Sequence, residues 1–251
     1  MNAYLIDHPP RQRQFRARGT TISGVIVMHT AESAPDTTGT DLGAEGVANF
    51  IRNRTDFGSY HWLADSDSLI DLVPMRDFQA YGDGTGSNPH AIHISAATQA
   101  HRWSSLPKAW VEGTIENMAL AAHKASDLLE AVHGVRIPAK RRTKAETDRR
   151  LEGFITHGDR DPERRTDPGK DFPWPMFWEA YKDLETPTVV LPPPTRGGQV
   201  ERALKRTSAA ITVLDKAKGK GDRRDELDRA EKQLRQARRA LRDVAFINRP
   251  N

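Results

Sequence analysis

The chain has 251 residues, enough for one domain of about 180–200 residues with an appendage. Its 37% hydrophobic content supports a single core, and no run approaches the roughly 20 apolar residues of a membrane helix. Cysteine is absent, which excludes disulfides and thiolate metal sites and leaves His, Asp and Glu as the available metal ligands.

The net charge of +4 is unevenly spread: residues 1–199 carry 23 Lys/Arg against 26 Asp/Glu, whereas residues 200–251 carry 15 against 8. The first twenty residues place apolar side chains ahead of basic ones and contain no apolar run of signal-peptide length. The expectation is a protein without a signal peptide, made and held in the cytoplasm.

In chain order, the β-branched run Gly24-Val-Ile-Val-Met28 predicts a buried strand ending at His29. Residues 41–54 suit a helix with Asp41 as N-cap. Residues 59–64 and 69–73 flank the polar turn Asp65-Ser-Asp-Ser68 and predict a hairpin, and residues 90–95 alternate as a further strand. Ile115, Met118, Ala119, Ala122, Leu128, Leu129 and Val132 fall at helical spacing between Thr114, the expected N-cap, and Gly134, the expected stop. A short strand, Phe154-Ile-Thr156, runs into His157, and residues 174–184 suit a last helix. Strands interspersed with helices define an α/β domain over residues 1–185.

Residues 186–199 form a linker, because three consecutive prolines favour extended geometry and two glycines release it. Beyond it, Leu227, Ala230, Leu234, Ala237, Leu241 and Val244 repeat at threes and fours, as do Val200, Leu204, Thr207, Ile211 and Leu214. With Lys218-Gly-Lys-Gly221 between them, residues 200–251 read as a basic α-helical hairpin.

Three segments bear on chemistry. A lone strand-end His such as His29 is more often a hydrogen-bonded structural residue than a ligand. Asp167, in Arg165-Thr-Asp-Pro-Gly169, has the ordinary reading of a turn former. Together, the strand-end His29 and His157 and the loop Asp167 make a candidate three-ligand zinc set with a fourth position left for water. Gly82-Asp-Gly-Thr-Gly86 lacks the Lys-Ser/Thr and the helix of a phosphate-cradling loop. His61 reads as a core or supporting residue, Glu32 as a solvated loop residue, and most of the five Trp as packing residues.

In this order, the strand ending at His29, Ser59-Tyr-His-Trp62 followed by a hairpin, His157-Gly-Asp159, Arg165-Thr-Asp-Pro-Gly169 and Phe172-Pro-Trp174 resemble the type 2 N-acetylmuramoyl-L-alanine amidases. These are relatives of the peptidoglycan recognition proteins and of phage lysins, and the resemblance runs from about Thr21 to Leu184. It implies a mixed central β-sheet flanked by helices, zinc bound by His29, His157 and Asp167, and a peptidoglycan groove across the metal face. The implied reaction is hydrolysis of the amide between the muramic acid lactyl group and L-alanine.

Two departures alter the catalytic set. Ser95, in Ile92-His-Ile-Ser95, stands where many members carry a Glu assigned to acid/base work. Some phage members lack that Glu and rely on a Tyr, here Tyr60. Arg165 replaces a common Lys; it can stabilise an oxyanion but cannot donate a proton. Tyr60 and Arg165 are therefore the expected catalytic pair. His93 neighbours the missing Glu position, and strand alternation is expected to turn it to the other side.

The expected partners are peptidoglycan and, through residues 200–251, anionic cell-wall polymers or a second copy of the chain. Mixed charge in that segment argues against nucleic acid, and nothing points to membrane insertion. A phage endolysin released from the host cytoplasm by a holin is the first reading. A cytoplasmic muropeptide-recycling amidase and a non-catalytic peptidoglycan-binding protein of the same fold are the alternatives.

Overall fold

The computed structural model describes residues 3–38 and 40–185. In order these form α1 (Tyr4–Asp7), β1 (Phe15–Ala17), β2 (Val25–Thr30), α2 (Gly43–Asn53), β3 (Trp62–Ala64), β4 (Leu69–Asp71), β5 (Phe78–Ala80) and β6 (Ile92–Ala96). There follow α3 (Lys108–His133), α4 (Lys144–Asp148), β7 (Gly153–Thr156), α5 (His157–Arg160) and α6 (Trp174–Glu185). The linker expected at 186–199 and the helical hairpin expected at 200–251 lie outside the described residues. Among the described residues no helix is long and apolar enough to cross a membrane.

Five strands form one mixed sheet in the order β4-β3-β6-β2-β7, with β3, β6, β2 and β7 parallel and β4 antiparallel at the edge. Every residue of β2, β6 and β7 is buried; β2 accordingly reads as a short apolar run, whereas β6 alternates because His93 and Ser95 are buried polar residues on one of its faces. Alternation sorts their side chains. Ile26, Met28, Ile92, Ile94 and Phe154 point to one face, where they pack with Ile115, Met118 and Ala122 of α3 and Phe177 and Tyr181 of α6. Each such fully buried side chain contributes about 1.5–3 kcal/mol. The opposite face carries Val25, Val27 and Ile155, and towards the β4 edge Leu63, which packs with Ala44, Val47, Ala48 and Ile51 of α2. That second face also carries His29, His93 and Ser95.

Several boundaries differ from the sequence reading. Asp41 is not the N-cap of α2; that place belongs to Leu42, which makes no side-chain cap. Instead Asp41 Oδ1 accepts the Gly43 N–H at 3.0 Å and Asp65 Oδ2 accepts that of Ala44 at 2.8 Å, so two carboxylates from outside the helix satisfy its first donors. Helix α3 begins six residues before Thr114, behind Pro107, and the Thr114 hydroxyl donates to Trp110 O within the helix. Trp110 and Val111, both buried, extend the apolar stripe that makes this earlier start favourable. Gly134 does stop the helix, in the left-handed conformation (φ 67°) that a side chain would disfavour.

Five elements were not anticipated, among them the one-turn helices α1 and α5. β1 and β5 pair with each other as a separate antiparallel ribbon, and each is only three residues long, too short for a period to register. Helix α4 is five residues with a reciprocal Thr143/Glu146 capping box.

Candidate metal centre

In an open parallel sheet, ligands gather at the carboxyl ends of the strands, where the backbone turns away and leaves a crevice. His29 is the fifth residue of β2, and His157 follows β7 directly as the first residue of α5. Because β2 and β7 are adjacent and parallel, the two rings meet, with centroids 4.6 Å apart. Thr156 caps α5 by accepting the Asp159 N–H, which turns the chain at this point. The 161–169 loop then returns Asp167 to the same spot: Gly158 N–H donates to Asp167 O at 2.7 Å, and the Asp167–Pro168 peptide is cis.

His29, His157 and Asp167 are all buried and offer ligand atoms within 4.8 Å of one another. Asp167 carboxylate oxygens lie 3.4 Å from His29 Nδ1 and 3.1 Å from His157 Nδ1. Burial alone would raise the Asp167 carboxyl, but the hydrogen bond with His157 and the close approach of His29 outweigh it and hold the group well below the ordinary carboxylate range. Burial lowers the His29 pKa, keeping its imidazole neutral and able to donate a lone pair. His29 Nδ1 is buried and has no hydrogen-bond partner of good geometry, the condition expected of an atom reserved for a cation. Two imidazoles and one carboxylate, with no thiolate, suit a borderline divalent ion such as zinc and leave a coordination position open. The residues therefore fit the metal that the sequence implied.

Tyr60 reaches this set from the loop before β3, its ring centroid 5.2 Å from that of His29, and its hydroxyl is hydrogen-bonded with Ser95. Burial first, then the Asp167 charge, push the phenol up to about 12. These surroundings favour the neutral phenol and work against its use as a base. Arg165 is exposed on the loop that delivers Asp167, and its charge is felt at the phenol. All five residues singled out from the sequence therefore belong to one locality.

His93 requires a correction. It stands two residues before Ser95, not one, so alternation puts both on the same face, and register pairs them with Val27 and His29 of β2. His93 Nδ1 lies 3.0 Å from His29 Nε2. Behind it, the His61 ring stacks at 5.6 Å and 6°, and His61 Nδ1 accepts the backbone N–H of His93. His61 is the supporting residue the sequence suggested. Burial and the nearby Arg18 charge lower its pKa well below the ordinary range. Arg54 was not singled out, yet its charge also reaches Tyr60, and its guanidinium covers Gly58. Nothing local in Arg-Asn-Arg-Thr distinguished it.

Glu32 is exposed, but its carboxylate accepts from the Thr30 hydroxyl and the Ala100 N–H, so it ties two loops together and is not simply solvated. The 82–86 loop is a structural knot: Asp83 accepts from Thr85 N–H and from the hydroxyls of Thr85 and Ser87, and pairs with Arg160 at 2.6 Å. A second acidic group, Asp41, Asp65 and Asp67, also converges. There the Asp41 and Asp65 oxygens are taken up by backbone N–H groups, by Ser66 and by Trp110 Nε1, as in a folded turn.

No family model and no curated protein matches the chain. Among solved structures it is similar to a mutant form of PlyL, at 18% identity and a TM-score of 0.43, over 65% of this chain and 87% of that one. It is also similar to the Staphylococcus aureus hydrolase AmiA in complex with its ligand, at 20% identity and a TM-score of 0.44, over 64% and 73%. A third is the Ph2119 endolysin from Thermus scotoductus MAT2119 bacteriophage Ph2119, at 17% identity and a TM-score of 0.41, over 71% and 96%. These are likenesses of chain architecture, and the site stands on its own geometry.

Proposed function

We propose that this chain is a zinc-dependent N-acetylmuramoyl-L-alanine amidase of the type 2 family, hydrolysing the amide between the lactyl group of muramic acid and L-alanine. The observation that carries the reading is the convergence of His29, His157 and Asp167 at the carboxyl end of a parallel sheet, with Tyr60 packed on His29. The substrate follows from the ordered set of motifs between residues 21 and 184 that resembles that family.

A zinc ion held by the three ligands supplies Lewis acidity to the scissile carbonyl and lowers the pKa of water. The protein supplies the rest. Hydrolysis adds a hydroxyl to the acyl carbon and a proton to the departing amine of L-alanine. Tyr60, a neutral hydroxyl beside the ligand set, donates a hydrogen bond to the oxygen on which charge develops. Arg165 places a permanent positive charge at the rim, where it opposes that same negative charge. Ser95 is too weak an acid or base to replace a Glu, and here it orients the Tyr60 hydroxyl. Burial of the ligands keeps competing water away from the imidazoles. Within this reading the chain acts as a phage endolysin, a role supported by a basic C-terminal segment suited to an insoluble anionic wall.

The test is mass spectrometry of products from purified peptidoglycan. Stem peptides with a free L-alanine amino terminus and glycan lacking peptide are expected, lost on chelation and regained with zinc. The variant His157→Ala should lose both activity and zinc. Cleavage at any other bond, or full zinc content in His157→Ala, would overturn the reading.

A further inference from the structure

We propose that His93 is the positioning residue for metal ligand His29, accepting a hydrogen bond from the N–H that His29 carries at Nε2 and so directing Nδ1 at the metal. The inference rests on the metal-centre reading and deepens it. An imidazole that gives a lone pair through one nitrogen carries its proton on the other, and that N–H needs a fixed acceptor to hold tautomer and ring angle. His29 has no exposed surface through which water could serve. Among the described residues the group in hydrogen-bond reach of its Nε2 is His93 Nδ1, at 3.0 Å.

The fold builds a seat for this ring. Register places His93 beside Val27, one pleat below His29 on the same sheet face. The ring stacks on His61, whose Nδ1 holds the backbone of His93 at 2.9 Å. On the other side lies Gly82, where an added Cβ would stand 2.6 Å from His93 Cγ and Nδ1. The absence of a side chain at 82 is thus the condition for an imidazole at 93. His93 is not itself one of the converging ligands, since its Nδ1 is already engaged with His29. Being fully buried, it also has no path to substrate. A purely space-filling role is the remaining alternative, and it differs in its consequences.

Zinc affinity of the full-length chain, measured by competition with a chromophoric chelator, separates the two. His93→Leu keeps the volume and removes the acceptor; zinc binding should weaken about 10–100-fold, the usual cost of losing such a partner. His93→Asn places an amide oxygen near the Nδ1 position and should recover affinity to within a few-fold of the parent. His93→Gln, whose oxygen falls near the Nε2 position, should not. Gly82→Ala, which displaces the ring without altering it, should mimic His93→Leu. The d–d spectrum of bound cobalt should shift in the Leu and Ala variants and return in Asn.

If His93→Leu folds and binds zinc within twofold of the parent, the positioning role is wrong while the metal centre stands. If His93→Leu does not fold, His93→Asn and His93→Gln decide, and equal affinities in that pair refute the proposal. A parent chain that binds no zinc would overturn the metal centre and this inference with it.

Discussion

Tyr60 and Arg165 approach the ligands from different segments, one packed against His29 and the other exposed on the loop that brings Asp167. Neither donates a metal ligand, so each should affect the reaction and leave the metal in place. Tyr60→Phe removes a single hydroxyl that is hydrogen-bonded with Ser95, and Arg165→Ala removes a rim charge. Turnover should fall about 10²-fold in each while zinc content stays at the parent level, the magnitude typical of groups acting on developing charge. Near-parent turnover in both would move oxyanion stabilisation to groups other than these, with Arg54 the next to examine. Both residues stood out in the sequence because they lie inside recognisable segments. His93 and Gly82 were noted for other reasons, and the contacts of His93 with Gly82 and with His29 could not be read from the sequence.

At the scale of elements, the buried Asp83–Arg160 pair ties the 82–88 loop to the short helix α5, whose first residue is His157. Arg160 also donates to Thr85 and Thr147, so one guanidinium holds three segments together. Breaking such a pair from one side leaves a buried charge unpaired. Arg160→Met should therefore cost about 3–5 kcal/mol in urea denaturation. The same pair gives a pH dependence. Burial would raise the Asp83 carboxyl, yet hydrogen bonds from Ser87 and Thr85 and the Arg160 charge outweigh it and hold the group at about 2. A depressed folded pKa means that the charged form is the stabilising one. Its contribution, about 2 kcal/mol, is complete above the ordinary carboxylate range and is lost as pH falls from about 4 through about 2. The stability gap between the metal-free parent and Asp83→Asn should narrow across that window. A gap that stays constant with pH would show that the carboxylate charge is not what stabilises the loop.

For the whole molecule, the described residues between 3 and 185 contain a five-stranded sheet, its covering helices and the candidate metal centre. Among the described residues, His29, His157 and Asp167 make up this ligand set by themselves. We propose that residues 200–251, with 15 basic against 8 acidic side chains, concentrate the enzyme on phosphate- and carboxylate-bearing walls. A chain truncated after Glu185 should retain activity on a small soluble muropeptide. It should bind whole walls more weakly at low salt, and the deficit should shrink as salt screens the charges. Equal wall binding by the two forms at low salt would refute targeting. An unchanged association state would also remove the alternative that the segment joins copies of the chain.

What the sequence determined by itself is local. The run at 25–28 is apolar because its strand is buried on both faces, the segment at 92–96 alternates, and neither pattern needs a partner to be read. The helical spacing from Ile115 to Leu129 and the stop at Gly134 are equally local, since period and left-handed geometry are properties of neighbouring residues. Tertiary structure alone decided the pairing of β1 with β5, the early start of α3 and the contacts that support the ligands. His29 meets His93 across 64 positions, and Arg160 meets Asp83 across 77. Such contacts depend on strand register and on which face a neighbour presents. A shift of one residue would turn either partner away while leaving every local signal unchanged.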